Sequence, residues 1–128
     1  MQTQLFQFDS DDPGTPKAVD NLLPKDGRAT YFPGVFDPDS CSTLFTSLAT
    51  TINWKQDQLY MFGQLITTKR EVAWVGDPGC AYTYSGVKKI PQIWTPELLS
   101  IKRTIEAMAH YRFNSCLLNL YHDGTQGM

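Results

Sequence analysis

Residues 112–128 read RFNSCLLNLYHDGTQGM, and within them Phe113 to Tyr121 has the pattern of a β-strand. The run is short and mostly apolar, and it ends in a turn signal, His122-Asp123-Gly124. Side chains alternate along a strand, so Ser115, Leu117, Asn119 and Tyr121 share one face. Cys116, Leu118, Leu120 and His122 share the other, which is nearly all apolar and reads as packing. The first face carries an amide and a phenol two residues apart. On the residues alone two uses stay open: the pair grips a small polar ligand such as a carboxylate, or it ties down neighbouring backbone. The turn should lead into a partner strand, and only four residues follow Gly124. An unpaired strand edge invites association unless something covers it. The chain is therefore expected to be an incomplete domain that tends to self-associate through its final strand.

Composition sets outer bounds. The length of 128 residues suits one domain, and 41% hydrophobic with 19% charged residues fits a soluble globular chain. No apolar run approaches the roughly 18 residues that span a bilayer, so no membrane partner is expected. The start, MQTQLFQFDSDD, has neither the basic end nor the apolar centre of a secretory signal. Cys41, Cys80 and Cys116 are widely spaced with no C-x-x-C, as in a cytoplasmic protein with reduced thiols. Net charge is −2, yet Lys69, Arg70, Lys88, Lys89, Lys102 and Arg103 cluster in the middle of the chain. That stretch is either a face for phosphates or an ordinary solvated surface.

From the start, residues 1–28 read as a flexible arm, with Leu5, Phe6 and Phe8 among clustered Asp, Pro and Gly. Asp37-Pro38 supplies a cap and a first-turn proline. Leu44, Phe45, Leu48, Ala49 and Ile52 then recur at helical spacing, which predicts a packing helix over about residues 38–50. Leu59 to Arg70 has strand propensity at both ends and a break at Phe62-Gly63, the sign of a bulge or a hairpin tip. Beside such a break, Phe62 is either a core residue or an aromatic thrust outward. Glu71 to Val75 reads as a separate strand before the turn Gly76-Asp77-Pro78-Gly79. Alternation in Ala81–Gly86 puts Tyr82 and Tyr84 on one side, for cross-strand packing or as a wall for a planar base. Val87 to Trp94 is a basic connector. Thr95-Pro96-Glu97 starts a second packing helix, with Leu98, Ile101, Ile105 and Met108 as its stripe. His110 near its end answers the helix dipole, and adjacent His122 and Asp123 point apart on a strand end, which disfavours a metal pair.

Several of these motifs resemble one family. Asn119-x-Tyr121-x-x-Gly124 is similar to the segment just before the iron-binding His-x-Asp of AlkB-type alkylation-repair dioxygenases. Phe62-Gly63 stands eight residues ahead of Arg70, like the aromatic-Gly pair on that family's hairpin, although Lys69 replaces the family's proline. Arg70-x-x-x-Trp74-x-Gly76-Asp77, followed by Tyr82-Thr83-Tyr84-Ser85-Gly86, resembles its nucleotide-recognition segment. The resemblance covers about residues 30–128.

It implies an α+β fold: a nucleotide-recognition lid, two packing helices and the first strands of a double-stranded β-helix (jelly roll). Residues 29–128 would be the N-terminal part of such a domain. The implied activity of the complete enzyme is oxidative demethylation of N-methylated bases (1-methyladenine or 3-methylcytosine type), with release of formaldehyde. It uses Fe(II) and 2-oxoglutarate and acts on methylated DNA, or RNA. Asn119 and Tyr121 would hold 2-oxoglutarate. Phe62 and Gly63 would help to flip the base, Arg70 would touch the substrate strand, and Tyr82, Tyr84 and Ser85 would wall the base pocket. The family's iron histidine and aspartate would fall beyond Met128, so this chain is not expected to bind iron or to turn over by itself. The alternative is a non-catalytic nucleic-acid-binding or assembly module.

Overall fold

A computed structural model describes residues 18–84 and 86–127, with only the backbone of Tyr84. Two compact units make up the chain, residues 1–42 and 43–128. Within the first unit, Val19 and Tyr31 exchange backbone hydrogen bonds and Leu22 N donates to Ala29 O at 2.8 Å. Residues 18–31, expected to belong in part to an arm, thus close a loop; Leu5, Phe6 and Phe8 lie outside the described residues.

Helix α1 runs Pro38–Thr51 and begins as its sequence dictates. Asp37 caps it: Oδ1 accepts from Ser40 N at 2.9 Å and Oδ2 from Ser40 Oγ at 2.6 Å, which holds the carboxyl below its ordinary range. The expected apolar stripe is only partly used. Leu48 and Ile52 join the core, whereas Phe45 is 68% exposed.

The second unit holds an antiparallel sheet in the order β1-β2-β5, with β1 Lys55–Met61, β2 Gln64–Gly76 and β5 Ser115–Leu120. One expectation is corrected. Glu71–Val75 is not a separate strand; β2 runs unbroken from Gln64 to Gly76, pairing with β1 on both sides of an irregularity at Thr68, Lys69 and Arg70 and with β5 from Glu71 onward. A second pair, β3 Tyr82–Tyr84 and β4 Val87–Lys89, forms a hairpin, its second strand made from the start of the expected connector. Helix α2 spans Pro96–Ala109, with Thr95 as N-cap accepting from Leu98 N at 3.3 Å and proline in the first turn. His110 closes it in the left-handed conformation.

The register between β2 and β5 sorts the side chains. Ala73 opposite Leu118 and Val75 opposite Cys116 point to one face. Ala73 and Val75 pack there with Ile52 and Leu98, and with Leu48, Trp54, Trp94 and Leu118 around them. Of the α2 stripe Leu98 alone is fully buried, and Ile105 is exposed, so the expected four-residue stripe is also only partly used. Each indole finds an acceptor: Trp54 Nε1 bonds Leu48 O, Trp74 Nε1 bonds Cys80 O, and Trp94 Nε1 bonds Asp77 Oδ1. This architecture is α+β.

Candidate functional site

The face of the sheet opposite the core carries the candidate residues. Val72 opposite Asn119 and Trp74 opposite Leu117 lie on it. Trp74 meets Tyr82 of the β3–β4 hairpin edge-on, with ring centroids 4.9 Å apart and planes at 72°. Leu117 remains about half exposed. An aromatic pair and an open strand therefore sit beside each other, with the hairpin set over the sheet.

An irregularity in the β1–β2 ladder builds the polar part of this face. Gln56 pairs with Glu71 but Gln58 pairs with Thr67, so Asp57 alone stands opposite Thr68, Lys69 and Arg70. A bulge of this kind re-aims side chains. Thr68 bridges the gap, its hydroxyl accepting from Asp57 N at 3.1 Å and donating to Arg70 O at 3.0 Å. Arg70 is thereby aimed across the sheet, and three of its nitrogens are engaged. Nε donates to Asn119 Oδ1 at 3.3 Å, Nη1 to Gly127 O at 3.3 Å, and Nη2 lies 3.6 Å from Asp57 Oδ2. The other oxygen, Asp57 Oδ1, accepts from Lys89 Nζ of the hairpin at 2.7 Å. The side chains of Asp57 and Arg70 are only 14% and 15% exposed.

At the opposite end of β1 and β2, Met61 pairs with Gln64 around a two-residue turn, Phe62-Gly63. Both central residues have positive φ, 51° and 74°. That is the type I′ geometry whose backbone twist suits a hairpin, and it favours asparagine or glycine at both places. Phenylalanine there costs roughly 1–2 kcal/mol, and its ring is 96% exposed. Local packing does not repay that arrangement.

The structure thus brings Arg70 and Asn119 into contact and puts Phe62 and Gly63 at a hairpin tip. Tyr82 meets Trp74 edge-on and is partly exposed. Tyr121 lies one residue past β5, 40% exposed. Ser85 and the Tyr84 side chain lie outside the described residues. His122 and Asp123 are used locally: a ring nitrogen of His122 is 2.9 Å from Glu71 Oε2, and Asp123 accepts from Thr125 N and Oγ1. Of the central cations, Lys102 lies 3.1 Å from Glu106 and over the Trp94 ring, while Lys69 and Lys88 are exposed.

Sequence reasoning missed Asp57, and it named Trp74 only within a motif and Lys89 only within the basic stretch, with no site role for either. Asp57 sits alone in KQDQLY, and its partners Arg70 and Lys89 come from later strands. Only the odd placement of an acid inside a strand could have flagged it.

Residues 28–128 match the family model of the 2OG-Fe(II) oxygenase superfamily. The chain is 33% identical over 97 residues to alpha-ketoglutarate-dependent dioxygenase alkB homolog 3 of Bos taurus, covering 75% of this chain and 33% of that protein. It is 34% identical over 67 residues to DNA oxidative demethylase ALKBH2 of Homo sapiens, covering 52% of this chain and 26% of that protein. The chain thus spans about a third or less of the length of these two relatives. With a match over most of its residues, the chain belongs to the 2OG-Fe(II) oxygenase superfamily, and within it to the AlkB type.

Proposed function

We propose that this chain supplies the N-terminal part of an enzyme that removes N-methyl groups from bases of alkylated nucleic acid, DNA foremost. Residues 29–128 would form its share of a jelly-roll domain, with the β1–β2 and β3–β4 hairpins as a nucleotide-recognition lid. The observation that carries this reading is Phe62, an aromatic ring 96% exposed on a turn that disfavours it. Unfavourable local conformations persist at working sites more than elsewhere. A ring so presented can enter a base stack and take the place of a base that leaves it.

The rest of the face has matching roles. Tyr82, with Tyr84 and Ser85, walls the pocket for the displaced base; stacking of this kind is worth on the order of 1–3 kcal/mol per base. Lys69 and Lys88 meet phosphates. Arg70 touches the substrate strand, after releasing the Gly127 carbonyl. Asn119 and Tyr121 hold the carboxylate of 2-oxoglutarate; the Arg70 bond uses the amide oxygen of Asn119, so its N–H donors are not part of that contact. A net cluster charge of +1 from Arg70, Lys89 and Asp57 favours an anion there.

The family implies iron as well as 2-oxoglutarate. Among the described residues no three of His, Cys, Asp and Glu gather as a metal group, so the donor set here does not fit iron. In a complete enzyme dioxygen, with 2-oxoglutarate as the co-reductant that leaves as succinate and carbon dioxide, would supply the oxidation at iron, and formaldehyde would be released with the restored base.

Binding of a fluorescent duplex with one 1-methyladenine tests the proposal. The chain should bind it more tightly than the unmodified duplex, and Phe62→Ala should remove that preference. Equal affinity for both duplexes in the unaltered chain would reject it.

A further inference from the structure

Asp57 has a place in the site that goes beyond the reading above, although its use rests on that reading. Its carboxylate is nearly buried, and its two oxygens are divided between cations from different parts of the fold. Oδ1 takes Lys89 Nζ of β4 at 2.7 Å, and Oδ2 faces Arg70 Nη2 of β2 at 3.6 Å. Through Nε the same guanidinium reaches Asn119 Oδ1 of β5 at 3.3 Å. A continuous polar chain, Lys89–Asp57–Arg70–Asn119, therefore runs from the β3–β4 hairpin to the edge strand. The hairpin end of this chain lies beside the aromatic that meets Trp74 edge-on, since Lys89 pairs directly with Tyr82.

Asp57 is held for this task by the backbone. It stands alone on the bulge, its N–H fixed by Thr68 Oγ1, which also fixes the Arg70 carbonyl. A regular ladder would give Asp57 one direct partner across the strand. The irregular one places its side chain and that of Arg70 together on the open face. Removing the carboxylate would leave two cations facing each other with little solvent to screen them.

We propose that Asp57 is a positioning residue that couples the base-wall hairpin to the co-substrate grip. Movement of the hairpin pulls on Lys89, shifts Asp57, and loosens or tightens the hold of Arg70 on the Asn119 amide. The amide's N–H donors are then aimed at a ligand carboxylate only while the hairpin is seated. Among the described residues no hydrogen bond or ion pair joins Lys89 to Asn119 directly, and the polar route between them runs through Asp57 and Arg70.

That dependence can be read in the ligand-free chain by NMR, following solvent exchange of the Arg70 Nε–H and the side-chain amide signals of Asn119. Lys89→Gln should speed the Arg70 Nε–H exchange by about threefold and move the Asn119 signals. Asp57→Asn should speed exchange by about tenfold, more than Lys89→Gln, because it removes the nearly buried ion pair to the Arg70 guanidinium itself. Adding Lys89→Gln to Asp57→Asn should then change neither readout further. A Lys89→Gln effect of equal size in both backgrounds, or none in either, would overturn the coupling. Should Asp57→Asn lose its dispersed spectrum, Lys89→Gln alone decides: moved Arg70 and Asn119 signals support the proposal, and unmoved ones reject it. No 2-oxoglutarate is present, so the result is independent of whether the chain binds that ligand.

Discussion

The two ends of β2 obey different rules. From Glu71 to Gly76 the strand pairs with β5, and at Glu71 and Val72 with β1 as well, with Ala73 and Val75 packed into the core on one side. From Gln64 to Ile66 it has one neighbour, and Tyr60, Met61, Phe62, Leu65 and Ile66 all stay exposed. Apolar residues of similar kind are therefore core at one end and surface at the other. Hydrophobicity of the strand does not decide which. Neighbours do: the second partner strand and the helices reach only the C-terminal half, and the outer half stands out as an arm tipped by an aromatic ring.

The sharpest way to break this contrast is one substitution made at both ends. Val75 is 0% exposed, so Val75→Asp buries an unpaired carboxyl and should cost more than about 4 kcal/mol, seen as loss of the folded circular dichroism signal. Leu65→Asp, on the outer half, should stay within about 0.5 kcal/mol in urea unfolding. Equal costs would dissolve the distinction. Next in size is the tip. Phe62→Asn suits the left-handed turn better and should raise stability by about 0.5–1 kcal/mol while removing preference for methylated duplex. A destabilised variant would mean the ring packs after all.

The inner end also governs thiol chemistry. Burial pushes the Cys116 thiol up, whereas Cys41 is exposed. A maleimide should therefore modify Cys41 well before Cys116, and at pH 8 the gap should narrow once urea unfolds the chain. The smallest effect concerns α2. Glu106 is held below its ordinary range first by the Phe113 N–H, which donates to it at 2.7 Å, and then by Lys102. A carboxyl depressed in the folded state stabilises above its unfolded value and loses that contribution as pH falls through the folded one. Glu106→Gln should thus flatten the loss of stability below about pH 4.3, and an unchanged acid profile would remove Glu106 from the explanation.

What the sequence discloses divides along the same line. Caps and turns are local, and Asp37-Pro38, Thr95-Pro96 and the Phe62-Gly63 break could be read from adjacent residues. The identity of the final strand and its apolar face could be read from alternation. Which apolar residues are finally covered could not: Phe45 and Ile105 fit helical stripes, yet they end 68% and 41% exposed. The polar face was half legible. Asn119, Tyr121, Arg70 and Tyr82 stood out by motif, but the contact between Arg70 and Asn119 joins residues 49 apart in sequence. Asp57 and Lys89 gave no local sign because their meaning arises from a bulge and from a hairpin folded over it.

The most direct measurement is an NMR titration of the metal-free chain with 2-oxoglutarate, resolved by residue. Signals of Arg70, Asn119 and Tyr121 should move together and saturate, while Ala73 and Val75 on the opposite face stay still, and Asn119→Ala should abolish the response. Movement of Ala73 and Val75 instead, or no saturable change at Asn119 and Tyr121, would contradict the assignment of the open face as the ligand side of the sheet.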